Sequence, residues 1–398
     1  MKKIAIVVEP DFTSKHVGVR NLIFSLYKEL ESISCNVEFI YFSNVAGTVH
    51  WYRYHIDDEY IYNNYALDDK IHSGTPNEVL SSWKRDRFSS NISAQPTNAY
   101  KLTAIGNNIE KEKFDLFILS VPWLNYIDAE IHSKPTIGIV YDMIPNDYVI
   151  NNTAKPFHFA SLHLAGYRYF NNHCKKVLCI SKATESRYLE YFKEASDKTL
   201  VMPPAIPNYL RSQCFPGSSV KEKNIILAGP FDPRKGLLYL PDLLNRVSES
   251  FDKLYIYGKQ RCSDIDFETF FSNLNKEDVI WYETISSDKL SELYRNSSLL
   301  IFPSDDEGLG LPIIESQLLG CDVITTKFDS AREIIVNENN PYLCLDLELD
   351  EIEVKNMLER DNTTKSDQVA SLASDYFSNE KYTEFYKILI HQIKEATY

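Results

Sequence analysis

The sequence predicts an α/β protein made of two doubly wound domains. Short runs rich in β-branched and aromatic residues alternate with helical patterns, which favours parallel sheets with crossover helices. This pattern stops at residues 205–224, a stretch rich in Pro, Ser, Gly and charge, and then restarts. The chain has 398 residues, whereas single cores stop growing at about 250 to 300 residues. We therefore expect a domain at 1–206, a second at 207–378, and a deep cleft between them.

The first half begins with a buried strand, a loop and an amphipathic helix. The helix is expected over 21–33, because Leu22, Leu26, Leu30 and Ile33 fall on one face. The loop before it covers 11–21, and residues 44–110 read as irregular and aromatic. The strands expected in this half cover 3–8, 36–42, 114–121, 135–141 and 176–181.

The second half repeats the alternation and ends in an amphipathic helix at 382–396. In doubly wound sheets, ligands bind beyond the carboxyl ends of the strands. The loops that follow the strands are therefore the places to look for chemistry. The strands expected in this half cover 224–229, 253–258, 279–283, 298–304 and 322–326.

The net charge and the cysteine pattern argue against some classes of function and location. The chain carries 42 basic and 56 acidic residues, a formal charge of -14, which argues against a general nucleic-acid binder. The net charge does not exclude a local basic patch that faces a phosphate or a membrane. The seven cysteines are scattered without a C-x-x-C pair, which indicates reduced thiols in a cytoplasmic protein. Glu9, Pro10 and Asp11 end the first apolar run too early for a signal peptide, and no apolar stretch reaches the ~20 residues of a membrane span.

The sharpest motif lies in residues 303–326, PSDDEGLGLPIIESQLLGCDVITT. Gly308 and Gly310 allow a close approach of the backbone to a ligand, and the helix that follows offers free N–H groups to a phosphate. Glu307 and Glu315 flank this position. Two carboxylates suit such a site if each accepts hydrogen bonds from hydroxyls, one set on a ribose and one on a sugar. The alternative is a strand–loop–helix connection with two solvated glutamates.

A second motif, AGPFDPRKGL, covers residues 228–237. Arg234 and Lys235 stand just before Gly236, at the expected start of a helix. Cations oppose the dipole at a helix N-terminus, so an anion that bridges them is one explanation. A solvated surface pair is the alternative.

Together these motifs resemble retaining glycosyltransferases of family 4, the glycosyltransferase group 1. The spacing of Glu307 and Glu315 resembles the family's E-x7-E motif, and residues 233–236 resemble its basic pair. Looser resemblances lie at 140–145, 179–184 and 201–206. The resemblance is good over 135–340 and weak over 44–110. It implies the GT-B fold with two facing Rossmann-like domains, a final helix at 379–398 that crosses back to the first domain, and no metal or other cofactor.

The resemblance also implies roles for individual residues. Lys235 would neutralise the diphosphate of a nucleotide-sugar donor, with Arg234 beside it, and Glu307 would contact the hydroxyls of the donor sugar. Glu315 would hold the ribose, and Asp142 keeps its place in the family's H-D-L-I-P segment. The remaining donor-binding candidates are Gly18, Tyr141, Gly308, Leu309, Gly310 and Leu311.

The chain departs from the family at two positions. Many members have an arginine where this chain has Pro230, so one phosphate contact is absent or comes from Arg234. The family's histidine before Asp142 is Tyr141 here, which alters the expected contacts to the donor sugar.

Other features have a stronger structural alternative. Asp264 and Asp266 fit the D-x-D pattern of metal-dependent enzymes, but such a short motif arises by chance. Residues 51–65 could offer rings to an acceptor or could be a packed insertion. Three histidines lack metal-ligand spacing, and five basic residues could dock on anionic lipid or form a solvated face. These are His158, His163 and His173, and Lys2, Lys3, Arg168, Lys175 and Lys176.

The expected function is a cytoplasmic, retaining, metal-independent hexosyltransferase. Its partners would be a nucleotide-sugar donor, with GDP-mannose as the first guess, and a glycan or lipid-linked glycan acceptor. The family suggests an acceptor from lipopolysaccharide, O-antigen or another surface polysaccharide, and a peripheral contact with the inner membrane face. No nucleic-acid partner is expected. The alternatives are another GT-B reaction, such as nucleotide-sugar epimerisation, and a glycosyltransferase-like scaffold without turnover.

Overall fold

The computed structural model describes residues 2–10, 12, 17–56, 69–89, 100–106, 113–129, 131, 134–151, 157–203, 206–211, 221–360 and 362–395. The chain forms two compact units. The first comprises Met1–Ile61, Pro96–Asn208 and Phe377–Tyr398, and the second comprises Tyr62–Gln95 and Tyr209–Tyr376.

The strands alternate with helices along most of the chain, as the α/β class requires. In chain order the strands are β1 (Lys3–Val7), β2 (Asn36–Val45), β3 (Thr48–Ile56), β4 (Lys70–Gly74), β5 (Tyr100–Gly106), β6 (Leu116–Leu119), β7 (Thr136–Val140), β8 (Lys176–Cys179), β9 (Thr199–Val201), β10 (Glu222–Ala228), β11 (Leu254–Tyr257), β12 (Val279–Thr284), β13 (Ser297–Phe302), β14 (Asp322–Thr326) and β15 (Tyr342–Leu343).

The α-helices are α1 (Val17–Ser32), α2 (Pro76–Ser89), α3 (Ile144–Asn151), α4 (Phe157–His173), α5 (Lys182–Tyr191), α6 (Asn208–Arg211), α7 (Leu240–Arg246), α8 (Asp264–Ser272), α9 (Ser287–Asn296), α10 (Leu311–Leu318), α11 (Asp329–Ile334), α12 (Leu347–Glu359), α13 (Asn362–Tyr376) and α14 (Asn379–Glu395).

The first unit is built on the sheet β5-β3-β2-β1-β6-β7-β8-β9. Strands β2, β1 and β6 to β9 pair in parallel, while β3 and β5 are antiparallel additions at one edge. The central strands β6 and β7 are buried throughout, as parallel strands covered on both faces are. Helix α14 belongs to this unit; its Tyr382 and Tyr386 are buried, and Thr383 donates to the Glu29 carboxylate of α1.

The second unit is built on the sheet β15-β14-β13-β10-β11-β12-β4. All its pairs are parallel except that of β4 with β12. The core includes a cluster of aromatic rings beneath β11 and β12, in which Phe231, Phe267, Phe271 and Trp281 lie with ring centroids between 4.7 and 6.0 Å apart. The predicted α/β class, with two Rossmann-like units, is confirmed.

Residues 44–110 depart most from the sequence analysis. Where described, they are ordered into β3, β4, β5 and α2, and Trp51 and Tyr54 are buried in the first unit. These strands are hard to recognise from the sequence because two of the three, β4 and β5, lie at a sheet edge. At an edge the alternation of hydrophobic and polar residues is incomplete. Residues 57–65 of the proposed aromatic platform lie outside the described residues.

Strand β4 and helix α2 fall within the domain expected at 1–206 but belong to the second unit. Strand β4 pairs with β12 from Gly74 opposite Val279 to Lys70 opposite Thr284. Helix α2 packs on α8, where the rings of Trp83 and Phe267 lie 4.7 Å apart. Strand β4 covers the edge that β12 would otherwise expose.

Candidate active site

In the sheet of the second unit, the order in which successive strands are added reverses at β10. Strands β11 and β12 lie on one side of β10, and β13 and β14 lie on the other. The loops that follow β10 and β13 therefore leave the carboxyl edge side by side at a topological switch point, the position where open α/β sheets bind ligands. These two loops carry the two sharpest sequence motifs.

The loop after β10 folds into a short 3-10 helix at Pro233–Lys235. Asp232 caps its start by accepting the Arg234 amide, and Gly236 ends it with φ = 70°. A Cβ on Gly236 would lie 2.6 Å from Cγ of Pro303, so this position requires glycine. The expected cation pair at a helix N-terminus is thus wrong: α7 begins only at Leu240, and Arg234 and Lys235 lie at the C-terminal end of the 3-10 helix, where the dipole favours cations.

The loop after β13 leads into α10, as expected. Gly310 occupies the N-cap with φ = 96°, a conformation that glycine adopts without strain. Leu309 and Gly310 are buried, whereas Gly308 and Leu311 are partly exposed. The first turn of α10 offers backbone amides and a positive dipole end at this edge.

The structure brings Lys235 and Glu307 together. Lys235 Nζ lies 3.0 Å from Glu307 Oε1, and the two side chains are 18% and 17% exposed. Ser304 Oγ donates to the same Glu307 oxygen at 2.9 Å, and Ser330 Oγ donates to the Glu307 carbonyl at 2.8 Å. Lys235 also lies over the Phe302 ring at 4.7 Å. The sequence analysis missed both serines, although Ser304 lies within the quoted motif.

Arg234 faces the neighbouring loop. Its Nη1 donates to the Asp306 carbonyl at 3.0 Å, and its Nη2 lies 3.4 Å from Asp232 Oδ2. Its own carbonyl accepts the Asp305 amide at 2.7 Å.

Glu315 lies one helical turn into α10 and is only 5% exposed. Burial raises the pKa of its carboxyl group to about 7, while a hydrogen bond with the Tyr209 side chain acts in the opposite direction. The negative charge of Glu315 in turn raises the pKa values of Tyr257 and Tyr294, after the larger effect of their own burial. The hydroxyls of these two tyrosines lie 2.8 Å apart. Glu315 therefore sits in a pocket of tyrosines that the sequence did not indicate.

The candidates in the first unit lie at the carboxyl edge of its own sheet. Asp142 Oδ1 accepts the Ile144 amide at the start of α3. The Tyr141 hydroxyl is buried and has no hydrogen-bond partner among the residues that the structure describes, and burial raises its pKa well above the ordinary value. Gly18 was expected in a loop but lies exposed in the first turn of α1, because that helix begins four residues earlier than its apolar face indicates.

One contact at this edge was not foreseen. Trp123, after β6, donates from Nε1 to Glu9 Oε2 at 2.8 Å. Glu9 follows β1, and β1 and β6 are neighbours at the switch point of this sheet. The charge of Glu9 contributes to the raised pKa of Tyr141. A buried carboxylate with an aromatic donor gave no motif that sequence reasoning could detect.

The D-x-D pair has a structural role. Ser263 caps α8 by accepting the Asp266 amide and donates to the Asp266 carboxylate at 2.7 Å. Asp264 pairs with Arg87 at 2.7 Å. Within the described part of the chain, no group of three or more His, Cys, Asp or Glu side chains is placed to hold a metal ion.

Two other groups from the sequence analysis are also engaged in structure. His163 is buried and bonds Asn146 at 2.7 Å, and burial lowers its pKa to about 4. Lys3 pairs with Glu38 at 3.0 Å, and Lys176 donates to the Asp197 carbonyl.

Comparison with known proteins gives a family match within the second unit. Residues 222–354 match the family described as Glycosyl transferases group 1. The matched segment begins with β10 and contains both loops of the switch point. The resemblance to the glycosyltransferase group 1 is confirmed for this segment, and its narrower placement in family 4 stays a prediction.

Curated relatives match parts of the chain. An uncharacterized 41.2 kDa protein in the cps region of Klebsiella pneumoniae is 30% identical over 124 residues, 31% of this chain and 33% of its own length. The serotype-specific mannosyltransferase WbdA of Escherichia coli is 34% identical over 120 residues, 28% of this chain and 14% of its own length. The O-antigen chain mannosyltransferase RfbU of Salmonella typhimurium is 24% identical over 165 residues, 41% and 45% of the two chains. The chain thus spans a third or less of the first two relatives.

Solved structures match along the whole chain. Sucrose-phosphate synthase from Thermosynechococcus elongatus superposes with a TM-score of 0.64 at 13% identity and 100% coverage of both chains. HepE from Anabaena, in complex with UDP and glucose, gives 0.58 at 13% identity, with 98% and 100% coverage. These likenesses confirm the GT-B fold. Among the helices that the structure describes, none has the length and apolar content needed to cross a membrane.

Proposed function

We propose that the protein is a retaining, metal-independent glycosyltransferase that uses a nucleotide-sugar donor. The observation that carries this proposal is the Lys235–Glu307 pair at the switch point of the second unit, 3.0 Å apart and both partly exposed. A cation suits a diphosphate, and a carboxylate suits sugar hydroxyls, because each forms charge-assisted hydrogen bonds. An adjacent helix N-terminus that begins at Gly310 would add backbone donors for the phosphate.

The reaction would break the bond between the anomeric carbon of the sugar and the leaving diphosphate oxygen. The acceptor hydroxyl would form the new bond on the same face, and its proton would pass to the diphosphate. Lys235 and the dipole of α10 would stabilise the charge that develops on the leaving group. Glu307 would orient the sugar, and Glu315 would bind the ribose hydroxyls.

The proposed substrates come from the relatives. WbdA and RfbU are named as mannosyltransferases, RfbU of an O-antigen chain. We therefore place GDP-mannose first among the donors and a lipid-linked glycan of a surface polysaccharide first among the acceptors, at the cytoplasmic face of the membrane. Glu9 and Trp123 in the first unit are the side chains we would test first for contact with the acceptor, and Tyr141 stays a candidate for contact with the donor.

The experiment is a thermal-shift screen of the full chain against GDP-, UDP- and ADP-sugars. A donor at 100 times its Kd stabilises the protein by about 2.7 kcal/mol, which such a screen detects. The donor that binds is then incubated with and without glycan acceptors. Acceptor-dependent release of the nucleoside diphosphate supports a transferase, whereas conversion of the donor to another nucleotide sugar would indicate an epimerase. The matched control is Lys235→Ala, which should reduce both the shift and the release. Absence of any shift with every donor would contradict the proposal.

A further inference from the structure

The basic pair of the second unit contains two cations with different surroundings. Lys235 points to Glu307 and the Phe302 ring. Arg234 instead uses its guanidinium on a main-chain carbonyl of the neighbouring loop, that of Asp306, at 3.0 Å. Because this carbonyl is neutral, it orients the guanidinium but does not neutralise its charge.

The guanidinium charge is already offset. Asp232 Oδ2 lies 3.4 Å from Nη2 of Arg234, and Asp305 lies close enough for Arg234 to lower its pKa, against a larger raising effect of burial. Two carboxylates around one guanidinium leave the local charge negative. Lys235 is likewise paired, with Glu307 at 3.0 Å, so the two cations differ mainly in that Arg234 also holds a carbonyl of the neighbouring loop.

The two loops are joined at several points around Arg234. Its carbonyl accepts the Asp305 amide at 2.7 Å, its Nη1 reaches the Asp306 carbonyl, and Gly236 packs directly against Pro303. The planar fork of arginine can hold a carbonyl and a carboxylate at once, which a lysine ammonium on a flexible stem does poorly.

We propose that Arg234 is a positioning residue that ties the loop after β10 to the loop after β13 and thereby sets the Lys235 ammonium beside the Glu307 carboxylate. Its role is then to hold the geometry of the pair, and the contact with the diphosphate falls to Lys235. This inference rests on the proposed function for its link to the donor, but the tie between the loops can be tested without any ligand.

The first test measures hydrogen–deuterium exchange of residues 303–310 in the ligand-free protein. Arg234→Lys keeps the positive charge but removes the planar guanidinium. Arg234→Met keeps a long side chain but removes both the charge and the guanidinium. Because either change removes a charge-assisted hydrogen bond of about 1.5 kcal/mol or more, we expect exchange about tenfold faster in both variants. Arg246→Met, which breaks the exposed pair with Glu351 elsewhere in the same unit, is the control and should leave these residues unchanged. Unchanged exchange in both Arg234 variants would overturn the proposal.

The second test measures binding of inorganic pyrophosphate by calorimetry at several salt concentrations. We expect Lys235→Met to lose at least about tenfold in affinity and to weaken the salt dependence, because it removes a charged contact. Arg234→Lys and Arg234→Met should stay within about threefold of each other, because both lose the planar fork and the proposed role does not depend on the charge. If Arg234→Lys binds normally while Arg234→Met loses tenfold, Arg234 contacts phosphate through its charge and the proposal is wrong. If the native protein binds neither pyrophosphate nor any nucleoside diphosphate, the proposed function fails, and the exchange result still decides the role of Arg234.

Discussion

Glu315 carries a carboxyl group whose ionisation falls within the range where enzymes are assayed. Burial raises its pKa to about 7, from an ordinary value of 4.5. In the unfolded chain the group is solvated and ionises near the ordinary value. Between these two pKa values the folded protein holds a proton that the unfolded chain has lost, so the stability of the second unit falls as the pH rises through this window.

The magnitude follows from the two pKa values. The interval from 4.5 to about 7, at about 1.4 kcal/mol for each pKa unit, corresponds to about 3 kcal/mol of destabilisation at pH 8. At pH 5 the same linkage gives about 0.8 kcal/mol, since the unfolded chain is then only partly ionised. Glutamine keeps the shape and removes the ionisation. Glu315→Gln should therefore raise the free energy of unfolding by about 3 kcal/mol at pH 8 and by less than about 1 kcal/mol at pH 5.

The assay is urea-induced unfolding of the native protein and of Glu315→Gln at pH 5, 6, 7 and 8. Glu359→Gln, at the exposed end of α12, is the matched control and should change stability by less than about 0.5 kcal/mol at every pH. A gain that does not grow with pH, or a loss of stability at pH 8, would refute the reasoning. It would mean that the tyrosine pocket around Glu315 stabilises the carboxylate better than water does.

The same carboxyl group couples pH to the proposed ligand. Ribose hydroxyls donate to an ionised carboxylate more strongly than to a neutral one. Affinity of the native protein for a nucleoside diphosphate should therefore increase from pH 6 to pH 8, beyond any change due to ionisation of the phosphate itself. Glu315→Gln should show only the phosphate component, which calorimetry on both proteins separates.

Four further outcomes are expected. Lys235→Ala should fold normally, by circular dichroism, and lower the turnover number by about 100-fold, the scale of one preorganised charge donor; turnover near the native rate would remove its phosphate role. Activity should persist in EDTA, since Asp266 is bonded to the helix cap Ser263 and Asp264 pairs with Arg87; loss of activity with rescue by Mn²⁺ would contradict this. Glu307→Gln should leave nucleoside diphosphate affinity within about twofold and lower the rate with the full donor, because the sugar is the part of the donor that Glu307 is proposed to contact; an equal loss of diphosphate affinity in the Glu307 and Glu315 variants would contradict the separate roles. Gly236→Ala should lower the melting temperature, because a Cβ there meets the proline ring opposite at 2.6 Å; an unchanged melting curve would show that the two loops separate easily.

Much of the site in the second unit can be predicted from the sequence, because each motif lies within one short stretch of the chain. A buried strand, a glycine-containing loop and a helix follow one another within residues 297–318, and the positive φ at Gly310 occurs where the motif requires it. The same holds for residues 228–237, except that the sequence does not show where the next helix begins. Gly236 ends a 3-10 helix first, which reverses the dipole argument for the two cations.

Features that depend on distant partners were not predictable in this way. The tyrosines near Glu315 come from positions 209, 257 and 294, and only the folded chain brings them together. The contact of Arg234 is to a backbone carbonyl, and any residue at position 306 would supply one. Side-chain patterns carry no information about such a partner.

Strand β4 cannot pair until a much later part of the chain has been synthesised. Gly74 pairs with Val279, a residue made 205 positions later in the chain. At a synthesis rate of about 5 to 20 residues per second, β4 and its helix wait about 10 to 40 s for the strand that they complete. During that interval the apolar side of α2, with Trp83 at its centre, has no Phe267 to cover it. The first unit faces a longer delay, because Thr383 of α14 is made 354 positions after Glu29, the residue of α1 to which it donates. A nascent chain stalled before residue 264 would therefore hold neither α8 nor β12 as a partner for β4 and α2.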